Sequence, residues 1–275
     1  MPNPSDDTKR HLEVNRSLWD GWAEINFKAP SYRVEEFRRG ASVLKPIELA
    51  EVGDVRKQSL LHLQCHFGLD SLSWTRLGAR VTGVDFSARA IETAKALATE
   101  CNLDARFIHS DLFDLPHHLD ECFDIVFTSY GVLCWLPDLA PWGKLIAHFL
   151  KPGGRFHIVE FHPMANAFDA HGDSQTVELK HPYFRQDRPL CFAEHGSYAD
   201  PSADFHHDSY EWPHSISEIL NSLINAGLRI EHFNEFPYSI TSCFAGMVQI
   251  SDREWRLTEQ HGRLPLMFSL KATKA

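Results

Sequence analysis

The sequence predicts an α/β fold built on a doubly wound, mostly parallel sheet. Two observations carry this. Between residues 60 and 161, strand signals and helical stripes alternate with short turns, which implies parallel strands covered on both faces. The runs Val81-Thr82-Gly83-Val84 and Ile125-Val126-Phe127 lack the polar alternation of a half-exposed strand, as strands buried on both sides must. The chain has 275 residues, 43% of them hydrophobic and 23% charged, enough to bury a sizeable core.

Each element has a local cause. In 8–22, Leu12, Leu18, Trp19 and Trp22 fall near helical spacing behind an Asp-Asp-Thr start suited to capping. A second helical stretch is expected over 34–51. A strand at 60–64 precedes a helix at 69–77 that Gly78 ends. The strand 80–85 leads to a helix from Ser87, with Ala90, Ile91, Ala94, Leu97 and Ala98 on one stripe. Strands follow at 105–109 and 123–128. The helix 139–150 stops at Pro152-Gly153-Gly154, and 155–161 is the next strand. From 162 to 215 the alternation breaks into prolines, aromatics and turn residues. That stretch is too long for a connection and too aromatic for a linker, so a packed lid is expected. A helix at 215–226, a strand at 228–233 and a closing strand at 264–270 complete the chain. The expected division is a helical cap (1–53), a core (54–161), the lid (162–215) and the rest of the core (216–275).

Composition excludes several function classes. A formal charge of −10 argues against a surface built to neutralise nucleic-acid phosphates. Six cysteines without a C-x-x-C pair suit a reducing cytosol better than a disulfide framework. The start has no apolar signal core and no stretch holds 18 unbroken apolar residues, so a cytoplasmic protein without membrane contact is expected. Seventeen histidines occur without H-E-x-x-H or comparable spacing, and no metal is expected.

A doubly wound sheet takes its ligand outside the carboxyl ends of its strands, so residues there are the informative ones. Asp85 ends the second strand about 20 residues beyond the first turn, the spacing for accepting ribose hydroxyls. It is equally placed to cap the helix from Ser87. Asp111 follows the third strand, Ser129-Tyr130-Gly131 the fourth, and Glu160-Phe161-His162 the fifth. The first turn, Gln64-Cys65-His66-Phe67-Gly68, has side chains where a dinucleotide's diphosphate needs bare glycine. A donor without phosphate tolerates that turn better.

These segments together resemble the class I S-adenosylmethionine-dependent methyltransferases. "HLQCHFG" keeps the frame of that family's first motif, with His62 for its acid and Gln64 and His66 for two of its glycines. "VTGVDFS", "HSDLFDLP", "FDIVFTSYGVLCWLPDL", "LKPGGRFHIVE" and "SEILNSLINAGLRI" are similar to its later motifs, in the family's order. The resemblance implies a Rossmann-like, seven-stranded methyltransferase fold, the cofactor S-adenosyl-L-methionine and a small-molecule acceptor methylated at oxygen, nitrogen or sulfur. It implies cofactor contacts from Gln64, Cys65, His66, Gly68, Asp85, Phe86, Asp111, Leu112 and Tyr130. Gln64 and His66 are open to either donor or acceptor. With the family's acid lost at His62, a carbonyl of Ser129 or Tyr130 is a candidate to hold the donor's ammonium.

The acceptor pocket is expected to draw walls from Tyr32, Trp135, Tyr198, Tyr210 and Trp212, although each also suits ordinary core. Glu160 and His162 are two apart on an extended chain and so share a side, which makes them the candidate catalytic pair. The alternative is that they only shape the pocket. A nicotinamide-dependent oxidoreductase and a non-catalytic donor-binding protein are the competing readings.

Overall fold

The computed structural model describes residues 5–168, 178–244, 246–258 and 263–275. Helix α1 (Asp6–Lys28) starts at Ser5, whose hydroxyl accepts from the Thr8 N–H at 3.2 Å. The single helical stretch expected over 34–51 is two short helices, α2 (Val34–Arg38) and α3 (Pro46–Val52). Gly40 turns left-handed (φ +104°) after the first, and Pro46 opens the second where its missing N–H is not needed.

Then come β1 (Ser59–Leu63), α4 (Leu69–Arg76), β2 (Arg80–Asp85), α5 (Ala88–Glu100), β3 (Arg106–His109), β4 (Phe123–Ser129), α6 (Leu139–Phe149) and β5 (Leu150–Phe161). A short α7 (Pro163–Asn166) precedes the hairpin of β6 (Leu190–His195) and β7 (His206–Glu211). Helix α8 (Ile216–Asn225), β8 (Leu228–Phe236), β9 (Met247–Ser251), β10 (Glu254–Leu257) and β11 (Met267–Lys274) complete the order. The stretch 169–177, expected as part of the lid, lies outside the described residues.

Seven strands form one sheet in the order β3-β2-β1-β4-β5-β11-β8, with β11 antiparallel to both neighbours. The strand order reverses between β1 and β4, which opens a crevice at their carboxyl ends. Leu60 and Leu61 show why these strands read as continuous apolar runs. Both are fully buried, yet Leu60 packs with Val52 and Trp74 while Leu61 joins Trp142, Leu145 and Ile219 on the opposite face.

Helix α1 is clasped by the β6–β7 hairpin. Asn15 exchanges two hydrogen bonds with the backbone of Tyr210, at 2.7 and 2.8 Å, and the Trp22 indole donates to the Gly196 carbonyl at 2.8 Å. Gly21 permits this approach, because a Cβ there would meet the Phe205 ring at 2.4 Å. On its other side Asp20 accepts from the Ser87 hydroxyl at 2.6 Å, which ties α1 to the start of α5.

Candidate active site

The turn after β1 keeps a glycine-type backbone with fewer glycines. Gln64, His66 and Gly68 have φ of +55°, +51° and +78°. Holding a non-glycine residue there costs roughly 1–2 kcal/mol. Several bonds hold the turn: the Gln64 amide donates to the Val132 carbonyl, Cys65 N–H to Val84, and Gly68 N–H to the Cys65 carbonyl, each at 2.9 Å. Gly68 is required for a second reason, since a Cβ would meet the Phe107 ring at 2.7 Å. Cys65 is buried, its sulfur packed over Gly83.

Asp85 is 6% exposed, and its two oxygens serve different elements. One accepts from the His66 N–H at 2.8 Å and the other from Ser87 N–H at 2.9 Å. The cap of α5 is Ser87 itself, whose hydroxyl accepts from Ala90 N–H at 3.0 Å. Burial pushes the Asp85 carboxyl up to about 6, although the two N–H groups favour its ionised form. Phe86 is half-buried, with its carbonyl 3.0 Å from the His109 ring. Asp111 accepts from Phe113 N–H at 2.8 Å, and burial raises its carboxyl too. Leu112 enters the core beside Leu115 and Val126. Tyr130 opens the turn after β4 in a left-handed conformation (φ +43°), with the Lys45 ammonium 4.6 Å from its ring centre.

Glu160 and His162 have separate partners. The buried Glu160 carboxylate accepts from the N–H groups of Val132 (2.7 Å), Leu133 (3.2 Å), Phe161 (2.7 Å) and Gly131, and so shapes the turn after β4. His162 accepts from Met164 N–H at 3.0 Å through Nδ1, while its Nε2 lies 3.0 Å from Glu235. One side chain organises 131–133; the other ties α7 to β8.

An aromatic group covers the first turn. The Trp19 ring lies 5.2 Å from that of His66 and 5.3 Å from that of Trp135, both edge to face. Tyr32 is 5.7 Å from His66, Trp22 is 5.3 Å from Tyr198, and the Tyr32 and Tyr198 hydroxyls bond to each other. Tyr32, Trp135 and Tyr198 are thus together. Tyr210 instead stacks on His11 at 4.1 Å, and Trp212 lines a separate cleft. That cleft lies between the turn after β4 and the β6–β7 hairpin, with Cys134, Tyr183, Phe192, Glu211 and Trp212 among its walls.

Sequence reasoning passed over two polar residues here. Asn26 is fully buried, and its amide nitrogen is 3.4 Å from His66 Nε2. It falls four and seven residues after Trp22 and Trp19, so it shares their stripe. Asp70, in the first turn of α4, accepts from the Ser129 hydroxyl at 3.2 Å and lies 3.8 Å from the Lys45 ammonium. His62, where the family's acid stands, is held down to about 4 by burial and bonds Ser71 at 2.7 Å. A carboxylate therefore stands beside the turn, supplied by the helix instead of the strand. Gln64 Oε1, His66 Nδ1, Asn26 Oδ1 and Trp19 Nε1 are buried without a hydrogen-bond partner. Unpaired atoms so close to one turn fit a polar ligand seated there.

Residues 61–158 match a family model described as a methyltransferase domain. Structures of the same architecture include an S-adenosylmethionine-dependent methyltransferase from Mesorhizobium loti, with TM-score 0.61 at 23% identity over 86% of this chain and 100% of that one. Residues 61–158 thus carry a methyltransferase domain, and the chain has the fold of such structures. Magnesium protoporphyrin IX methyltransferase from Synechocystis PCC 6803, solved with its donor bound, shares the fold at TM-score 0.53 and 15% identity, with 100% of both chains covered. Ubiquinone biosynthesis O-methyltransferase of Serratia proteamaculans is 29% identical to this chain over 106 residues, 38% of this chain and 44% of the relative. The protein of the same name from Xanthomonas euvesicatoria pv. vesicatoria is 26% identical over 198 residues, 71% and 74% of the two chains. The chain spans 44% and 53% of the length of the first two curated relatives it matches.

Proposed function

We propose that this chain transfers a methyl group from S-adenosylmethionine to a small-molecule acceptor by in-line displacement. The carrying observation is the turn from Gln64 to Gly68, left-handed at three alternate positions, with the Asp85 carboxylate set against its backbone. When bound, the donor supplies an electrophilic methyl group on a positively charged sulfur. In this reading Asp85 accepts the ribose hydroxyls, Asp111 and Leu112 border the adenine, and Asp70 faces the ammonium. Backbone from Gln64 to Gly68 follows the methionine part, with Phe86 and Tyr130 at the edges. Trp19, Trp135 and Tyr198 offer aromatic surface to a sulfonium cation and exclude water.

Glu160 has its oxygens on four N–H groups, so its role in this reading is to hold the acceptor wall. His162 holds α7 in the same way. A nicotinamide cofactor is disfavoured, because Gln64 and His66 carry side chains where its diphosphate would press on the turn. The curated relatives named as O-methyltransferases support a small-molecule acceptor. Among the described residues no helix is long and apolar enough to cross a membrane, and the cysteine pattern favours the cytoplasm. Calorimetric titration tests the donor assignment. S-adenosylhomocysteine should bind and NAD should bind far more weakly; tight NAD binding without an S-adenosylhomocysteine signal would overturn it.

A further inference from the structure

The cleft beside the strand ends has a chemistry that narrows the acceptor, given the methyl-transfer reading above. Its walls mix apolar and aromatic side chains such as Leu133, Phe192 and Trp212 with the polar Asn166, Glu211 and His214, and no lysine or arginine is among the described residues that line it. Gly131 belongs to the cleft, and its carbonyl also holds the Trp135 indole at 2.7 Å, so the cleft adjoins the aromatic group over the donor turn. The carboxyl of Glu211 lies in this wall. The titratable groups around it are Cys134 and Glu160 from the strand ends, Tyr183, His214, and Glu194 from the paired strand. Cys134 is kept a neutral thiol by burial and bonds Glu211, while Glu160 is already saturated by N–H groups. Glu194 accepts from Ser209 at 2.7 Å. Among the described residues that line the cleft, the one group able to carry positive charge is His214, and it already faces Glu218 at 3.1 Å.

We propose that this cleft, of about 60 Å³, binds the acceptor as an amine on a small apolar body, with Glu211 as its counter-ion and proton acceptor. A carboxylate among aromatic faces attracts a cation and repels a developing oxyanion, which disfavours phenols, alcohols and carboxylates. The net charge of −10 steers in the same direction. The ammonium gives one proton to Glu211, and the freed nitrogen lone pair forms the new N–C bond. The C–S bonding pair passes to sulfur, leaving a neutral thioether and a methylated ammonium. Burial, reinforced by Glu194, raises the Glu211 carboxyl to about 7, where a proton acceptor works well at neutral pH.

Three small molecules of one shape decide this: propylamine, 1-propanol and butyrate. With S-adenosylhomocysteine present, calorimetry should show amine binding well above that of the other two. With the methyl donor, only the amine should turn over, and its kcat/KM should rise with pH through about 7. E211Q should lower the amine's kcat roughly 100-fold or more, abolish the limb near pH 7 and leave S-adenosylhomocysteine affinity unchanged. Preference for the alcohol or acid, or an unchanged amine kcat and pH limb in E211Q, overturns the proposal on wild-type or variant protein respectively. Amine binding in a protein that never binds S-adenosylhomocysteine would overturn the methyl-transfer reading and leave the cleft's amine selectivity standing.

Discussion

Asp85 is a single buried carboxyl on which the proposed donor site turns. Its carboxyl sits near 6, against an ordinary 3.8, because burial penalises the charge. For an acid raised in this way, folding favours the protonated form, so its stabilising influence is full at low pH and is lost as pH rises through about 6. In the proposed reading, the ionised oxygens are the ones that accept ribose hydroxyls. S-adenosylhomocysteine affinity should therefore fall as pH is lowered through about 6, and titrations across that range check it. Asp85→Ala should cost about 1–3 kcal/mol of donor binding and remove the same pH dependence. Unchanged affinity in a folded variant would show that the carboxylate serves only the turn. The neighbouring His66 has the opposite behaviour: burial holds its imidazole down to about 3, so it stays neutral throughout this range.

At the scale of elements, one side chain ties α3 to three strands of the sheet. Glu51 takes hydrogen bonds from His157 on β5 (2.8 Å), Ser269 on β11 (2.9 Å) and Asn234 on β8 (3.0 Å), with His232 at 3.3 Å. Burial opposes its ionisation, but these partners prevail and hold the carboxyl at about 2. Glu51→Ala should lower unfolding stability by about 1–3 kcal/mol in urea, by leaving buried donors unpaired. A depressed carboxyl contributes above its unfolded value, near 4.5, and loses the contribution as pH falls through about 2. The gap between wild type and variant should therefore be full above pH 4.5 and shrink towards pH 2. A gap that ignores pH would show that the loss is one of packing alone.

For the whole molecule, the two ends of the first 215 residues meet over the sheet. Helix α1 and the β6–β7 hairpin clasp each other through Asn15, Tyr210, Trp22 and Gly196, and both send aromatic rings over the turn after β1. If this clasp must loosen to admit ligands, both segments should exchange amide hydrogens faster than the sheet. S-adenosylhomocysteine should slow that exchange, as read by hydrogen-exchange mass spectrometry. Protection confined to β1, β2 and their turns, with α1 and the hairpin unchanged, would show that the clasp does not respond to the donor.

The sequence by itself determined the alternating core. Strands such as Leu60-Leu61 are apolar on both parities, helices carry one stripe, and Pro152, Gly78 and Gly227 punctuate them, so local rules and the global sheet agree. It also located Asp85, because strand-end position follows directly from that alternation. Only the tertiary structure decided how Asp85 is used, with one oxygen on His66 and Ser87 taking the helix cap. It likewise joined Tyr32 to Tyr198 across 166 residues, sent Tyr210 outward, and turned Glu160 and His162 to separate partners. The β6–β7 hairpin escaped notice since His206-His207-Asp208-Ser209-Tyr210-Glu211 lacks an apolar face to give it away. Periodicity reports which side of an element is buried, and that is a property of the local chain. Which distant side chains share a cavity depends on how the elements pack, and no local pattern records it.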